Sequence, residues 1–314
     1  MIRFGPAGWS YRDWEGVVYP APRPRGFHPL AVIARMFDVA EVNVSFYHPP
    51  KPEVAESWCD LLDRLDATRF RFTVKLWQGL THGADSIESP EACRLRESCE
   101  LLRARGRLSA VLAQFPWSFK NAPASRDRLR DLADQWGEFN LAVEVRHGSW
   151  AEDSYLDWLR AQSIAFVNID QPVIGESLEP SGHITSPAVA YVRLHGRNRE
   201  AWFSEEAGRD ERYNYRYTAS ELAPWVARIE ELSAVADETI VITNNHFQGQ
   251  AVTNALELQA ATVPNLEVPV PRTLTKRCPD LCAVPGLRLA EDEEFTLPPP
   301  AEEQESGVSQ LQLF

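Results

Sequence analysis

Several ionisable residues stand at or near the ends of short apolar runs: Lys75 in RFTVKLW, Glu144 and Arg146 in LAVEVRH, Asp170 in AFVNID, and Arg193 and His195 in VAYVRLH. Brought together, these types do acid–base and charge-stabilising chemistry. Glu144 or Asp170 would serve as general base and His195 as general acid or base. Lys75, Arg146 and Arg193 would hold an anion and stabilise charge that develops on it. Lys75 is also a Schiff-base candidate, because a desolvated amine is a nucleophile. Asn43, Tyr47, Gln114, Asn168, Arg197, Asn244 and Asn245 lie at comparable run ends and would add substrate contacts.

The elements that must position these groups follow from the spacing of the runs. They begin at Arg3, Glu41, Arg71, Ser109, Leu141, Ala165, Val189 and Thr239, with helical patterns in most gaps. Strands alternating with helices imply parallel pairing, and eight such units imply a closed (β/α)8 TIM barrel, an α/β fold in one domain. Helices are expected at 29–37, 52–65, 90–105, 125–136, 152–161, 219–232 and 249–261. Thr218-Ala-Ser-Glu221 has capping-box spacing. The sixth crossover, 171–187, is short and rich in Pro, Gly and Ser, and no full helix is expected there. The barrel is read as residues 1–262, followed by an extended strap over 263–288 and a disordered acidic tail over 289–314.

Strand alternation then assigns faces. If Val143/Val145, Val167/Ile169 and Val192/Leu194 face the helices, then Glu144/Arg146, Asn168/Asp170 and Arg193/His195 face inward. In the second and third runs the same rule puts Val42, Val44, Phe46, Phe72, Val74 and Leu76 outside. It leaves Glu41, Asn43, Ser45, Tyr47, Thr73, Lys75 and Trp77 inside. A purely structural barrel interior is dominated by Val, Ile and Leu, so this one reads as a site.

Composition narrows the function. A formal net charge of -13 disfavours non-specific nucleic-acid binding and requires any such role to use a local basic patch. Five cysteines in a chain this long do not read as a disulfide framework. No apolar run approaches a membrane span, and Met1-Ile-Arg-Phe enters a strand pattern directly, so a cytoplasmic location without a signal peptide is expected.

The segments GWSYRDW, FDVAEVNVSFYHPP, RFTVKLWQGLTH, LAQFPWSF, VEVRHGSW, YVRLHGRN, YNYRYTASEL and NNHFQGQAVTNALEL, in this order, resemble the YecE-like family, domain of unknown function 72. The resemblance runs from Gly5 to about Ala261. It implies a TIM barrel and names no activity.

Three further features bear on ligands and partners. The segment 196–217 carries Arg197, Arg199, Arg209, Arg212 and Arg216 with Trp202, Phe203, Tyr213, Tyr215 and Tyr217, a mixture suited to phosphate contact and ring stacking. Cys278 and Cys282, with Cys93 and Cys99, could bind zinc or an iron–sulfur cluster if they met, although the spacings fit no known pattern. Glu144, Asp170 and His195, with His82 and His147 nearby, could in principle hold a divalent metal. No ligand spacing supports it, and an anion suits the three cations better, so no metal or cofactor is assigned. The final residues, Gln310-Leu311-Gln312-Leu313-Phe314, resemble the bacterial sliding-clamp-binding peptide, with Gln310, Leu311, Leu313 and Phe314 at its specified positions. The combined expectation is a phosphodiesterase- or nuclease-like enzyme of DNA maintenance, acting on a phosphorylated or nucleic-acid substrate and recruited by the clamp. The alternatives are a sugar-phosphate lyase or isomerase, and a non-catalytic ligand- or nucleic-acid-binding adaptor.

Overall fold

The computed structural model of the chain describes residues 1–83, 85–86, 88–202, 209–290 and 292–295. Eight parallel strands run in the order β1-β8-β7-β6-β5-β4-β3-β2: β1 Ile2–Pro6, β2 Val39–Val42, β3 Arg71–Lys75, β4 Leu108–Gln114, β5 Leu141–Glu144, β6 Ala165–Asp170, β7 Val189–Leu194 and β8 Glu238–Thr243. The sheet closes between β1 and β2, where Ala7 bridges Glu41 and the Gly8 amide donates to the Glu41 carbonyl at 2.9 Å. Gly5 permits this approach: a Cβ there would lie 1.8 Å from the Val39 carbonyl oxygen. The result is a nearly closed TIM-barrel-like α/β fold.

Helices fill the crossovers: α1 Pro29–Met36, α2 Pro52–Arg64, the short α3 Gln78–Thr81, α4 Pro90–Ala104, α5 Pro123–Trp136, α6 Asp153–Ala161, the short α7 Arg199–Trp202 and α8 Arg209–Arg212, α9 Ala219–Ser233 and α10 Gln250–Thr262. Proline at the first turn starts α1, α2, α4 and α5, where its missing N–H costs nothing. Ser89 accepts the Ala92 amide at the start of α4, and Thr218 and Glu221 form the capping box of α9. Between β6 and β7 the described chain has no helix.

Two segments depart from the expected pattern. The second run leaves strand geometry after Val42 and makes a 3-10 turn over Val44–Phe46. The Ser45 hydroxyl holds the turn by donating to the carbonyls of Val42 and Lys75, each at 2.6 Å, a local alternative to the ladder. Alternation therefore stops there. Val44 is exposed rather than packed on a helix, and the Phe46 ring comes under Lys75.

The second departure is the region read as an extended strap. It contains β9 Val268–Val270, α11 Arg272–Arg277 and β10 Leu287–Leu289, with β9 and β10 paired in parallel. Order continues past Leu289, since the Ala290 amide donates to Val270 and Asp292–Phe295 forms a turn with Phe295 packed on the core. Apolar side chains at Val268, Val270 and Leu274 give this segment a buried face that a proline count does not reveal. Gln310, Leu311, Leu313 and Phe314 lie outside the described residues, as does Phe203. No helix among the described residues is long and apolar enough to cross a membrane.

Candidate functional site at the barrel mouth

The interior is organised around Arg193, which is fully buried on β7. Its guanidinium donates to Glu41 Oε1 on β2 at 2.7 Å and to Glu144 Oε2 on β5. The Tyr191 hydroxyl, one layer below, lies 3.1 Å from Glu41 Oε2 and 2.8 Å from Thr73 Oγ1. Arg146 adds a second cation to Glu144, with Nε 3.0 Å from Oε1. Burial pushes the Glu144 carboxyl up, but Arg193, His195 and Arg146 outweigh it and hold it well below the usual carboxylate range. Glu144 is therefore an ionised acceptor and a poor proton acceptor for catalysis.

That ionisation fixes the state of His195. A carboxylate only accepts, so His195 Nε2 must donate to Glu144 Oε1 at 3.2 Å. Nδ1 is then the acceptor for the Asn244 amide at 3.0 Å. Burial, only partly offset by Glu144, lowers the His195 pKa to about 3, so the ring is neutral. Both ring nitrogens are engaged, Nε2 by Glu144 and Nδ1 by Asn244. His82 is also neutral, lowered to about 4 by burial and by Lys75 and Arg146.

Lys75 differs from its neighbours. It is buried at the end of β3, and its Nζ lies 4.0 Å from the centre of the Phe46 ring. Among the described residues it has no salt bridge or side-chain hydrogen bond. Burial and the Arg193 charge lower its pKa to about 7, against the pull of Glu41 and Glu144. It reaches a small cavity of about 50 Å³ shared with Asn43, Tyr47, Tyr213, Asn244 and His246. A cleft of about 350 Å³ adjoins it through Tyr11, Asn43 and Tyr47, walled by Trp9 and Trp58. Another of about 250 Å³, sharing Tyr213, is lined by Gln114, Arg146, Gln171 and Trp202.

The structure thus brings Lys75, Glu144, Arg146, Arg193, His195 and Asn244 together, with Asn43, Tyr47 and Gln114 on the rim. It does not bring Asp170 and Asn168 there. Register pairs Val167 with Tyr191 and Ile169 with Arg193, so these share the inner face, whereas Asn168 and Asp170 pair with Val192 and Leu194 on the outer one. The expectation for β6 is inverted, and Asp170 is not a base in the mouth. It instead receives Arg197 through Nε and Nη2 at 2.8 and 2.6 Å, the Tyr217 hydroxyl at 2.9 Å and Trp225 Nε1 at 2.6 Å. Asn168 is held by the crossover, donating to the His183 carbonyl at 2.9 Å and accepting from Ser181 and the His183 amide.

Arg197 and Asn245 are corrected on the same ground. Arg197 is consumed by Asp170, and Asn245 Nδ2 donates to the Tyr215 carbonyl and to Asn254 at 2.8 Å each. Both secure the chain after β7 rather than contact substrate. Arg216 is likewise taken by Glu257 and Asp280, so two of the five arginines of that segment are paired internally. Asp170→Asn should therefore cost about 2 kcal/mol of stability, because buried donors lose a charged acceptor. Chemical denaturation checks this, and an unchanged midpoint would remove Asp170 as the anchor.

The proposed metal sets do not assemble. Among the described residues no group of three or more His, Cys, Asp or Glu could hold a metal ion, and none of the five cysteines is in a disulfide. Cys93 and Cys99 lie on α4, whereas Cys278 and Cys282 follow α11. Asp170 faces away from Glu144 and His195, which dissolves the other set.

Residues given no role from the sequence include Tyr191, Tyr11 and His246, and Glu41, which alternation does place inside. Tyr11 and His246 come from loops after β1 and β8, where no periodicity assigns a direction. Their rings stack at 4.4 Å, and Tyr213 meets His246 at 5.2 Å.

Comparison with known proteins matches the chain as a whole. The family described as "Protein of unknown function DUF72" matches residues 3–276. The UPF0759 protein YunF of Bacillus subtilis is 29% identical over 271 residues, covering 82% of this chain and 93% of that one. YecE of Escherichia coli K12 is 29% identical over 154 residues, 47% of this chain and 49% of its own length. Among solved structures, a DUF72 family protein of Thermotoga maritima aligns with a TM-score of 0.73 at 32% identity, over 82% of this chain and 98% of that one. One from Enterococcus faecalis aligns at 0.72 and 25% identity, over 83% and 95%. The extent of these matches shows that the chain belongs to the DUF72 family.

Proposed function

We propose that the barrel mouth is the active site of a lyase or isomerase acting on a small carbonyl compound, with Lys75 as the nucleophilic amine. The observation that carries this is the placement of a buried lysine without a salt bridge, opening on a small polar cavity at the C-terminal end of the strands. The amine lone pair would add to the carbonyl carbon while the C=O π pair moves to oxygen. A proton passes from nitrogen to that oxygen, and the resulting hydroxyl takes a second proton from solvent and leaves as water, which gives the protonated imine. The protonated imine draws electrons from an adjacent C–C or C–H bond. Its positive charge would sit in the field of Glu41 and Glu144, which already favours charge on Lys75.

Two features favour this over a nucleic-acid or phosphate substrate. Arg193 is neutralised by two carboxylates, and Arg146 is paired with Glu144, so the expected anion clamp is largely spent. The cleft beside Trp9 and Trp58 has no cation in its wall. Borohydride reduction in the presence of glyceraldehyde tests the proposal. The expected product is a mass increment on the peptide containing Lys75, larger at pH 8 than at pH 5.5 and absent from Lys75→Met. Labelling confined to Lys51, Lys120 and Lys276 would refute it.

Recruitment by the bacterial sliding clamp is a separate proposal, carried by Gln310, Leu311, Leu313 and Phe314, which lie beyond the family match at 3–276. A short peptide that orders on binding should give a Kd on the order of micromolar. Titration of a purified clamp should show binding by the full chain and none by a chain ending at Ser309. Equal behaviour of the two would end the clamp reading and the DNA-maintenance role with it.

A further inference from the structure

The two clefts flanking Lys75 are parts of one groove. The Lys75 cavity shares Tyr11, Asn43 and Tyr47 with one cleft and Tyr213 with the other. Its rim is an arc of rings, Tyr11 to His246 at 4.4 Å, His246 to Tyr213 at 5.2 Å and Tyr213 to Trp202 at 6.1 Å. The arc borders the central cavity and both clefts.

Side-chain amides recur along the groove, beside the cations Lys75, Arg146 and Arg212. Asn43 and Asn244 stand in the central cavity, and Gln114 and Gln171 in the cleft beside Trp202. The Gln171 amide is fixed by its own donors, with Nε2 3.2 Å from the Arg146 carbonyl and 3.5 Å from that of Leu178. Its Oε1 is buried without a partner, which leaves an acceptor awaiting a donor. Aromatic faces alternating with amides match a ligand whose own surface alternates C–H faces with hydroxyls. A polyanion needs cations along its whole path, and the cleft beside Trp9 and Trp58 has none in its wall.

We infer that the groove binds a neutral saccharide of at least two units. The carbonyl-bearing unit lies over Lys75 and reaches toward Gln114 and Gln171, and the neighbouring unit stacks against Tyr47 and Trp9. This rests on the Lys75 reading for the position of the reacting carbonyl, and on the groove alone for the ligand class. A site built to bond hydroxyls rejects analogues that lack them, so the selectivity should be strong.

The test is quenching of tryptophan fluorescence by cellobiose, maltose, lactose and isomaltulose, with glucose, inorganic phosphate and a single-stranded 12-nucleotide DNA as comparators. At least one disaccharide should bind ~10-fold more tightly than glucose, with phosphate and DNA giving no saturable signal. Tyr47→Ala should abolish the advantage of the disaccharide over glucose, and Trp202→Ala should weaken both. Thermal midpoints of the two variants verify folding, and Tyr47, being exposed, keeps the test valid if Trp202→Ala unfolds. Failure of every disaccharide, tighter binding of DNA, or indifference to Tyr47→Ala would overturn the inference. Saccharide binding without a borohydride-reducible adduct at Lys75 would preserve it and remove the imine reading instead.

Discussion

Arg193→Met should destabilise the protein by about 3–5 kcal/mol, the cost of stranding a buried charge by removing its partner. Arg193, Glu41 and Glu144 are each fully buried, and one guanidinium serves both carboxylates. Methionine fills much of the volume but donates nothing, so two carboxylates face each other in a space closed to water. The thermal midpoint should fall by roughly 10 °C for a chain of this size. The pH dependence carries a sign. In the native protein Glu144 is depressed, so its contribution is present above the unfolded carboxyl pKa and lost as pH falls through the lower folded value. In the variant, protonation relieves the repulsion, so the deficit should shrink on acidification below about pH 5. Urea denaturation at pH 7 and pH 4.5 measures both effects. A deficit under ~1 kcal/mol at pH 7 would show that water or another cation satisfies the carboxylates.

Lys75→Met should act in the opposite direction. The folded pKa of about 7 lies below the ordinary lysine value of 10.5, so between these values the unfolded chain binds more protons than the folded one. Stability contributed by this site therefore rises with pH across that window, and below pH 7 the full cost of burying the ammonium is present. At ~1.4 kcal/mol per pKa unit, removing the charge should stabilise the protein by up to about 4 kcal/mol at pH 6. The Phe46 ring, 4.0 Å from Nζ, favours the ammonium and offsets part of this gain. The gain should fade to under ~1 kcal/mol by pH 10, where the folded amine is neutral and the unfolded one is still mostly protonated. Denaturation of the two proteins at pH 6, 8 and 10 reads this directly. A destabilised variant at pH 6 would make Lys75 a structural charge partner and undo its proposed role. A stabilised variant without the borohydride adduct is the pattern expected where stability is sacrificed for reactivity.

The sequence alone determined the barrel and much of its mouth. Even spacing of apolar runs specifies parallel β/α units, and the C-terminal ends of those runs carry Lys75, Glu144, Arg146, Arg193 and His195. Alternation was enough in β5 and β7, where charged residues alternate with Val or Leu and one face is plainly the outer one. In β6 it was not, because Asn168 and Asp170 are satisfied outside by Ser181, His183, Arg197, Tyr217 and Trp225, which come from distant segments. Period fixes that side chains alternate; it does not fix the phase when apolar residues suit both the interior and the helix layer. Only the pairing of Val167 with Tyr191 and Ile169 with Arg193 sets that phase. The same holds for charge. Strand alternation put Glu41, Glu144 and Asp170 inward with Lys75, Arg146 and Arg193, but which of them cancel depends on distances of a few ångströms across the barrel. Arg193 is cancelled by Glu41 and Glu144, and Lys75 is left without a partner, because electrostatic pairing at low dielectric is decided by contact geometry rather than by order along the chain.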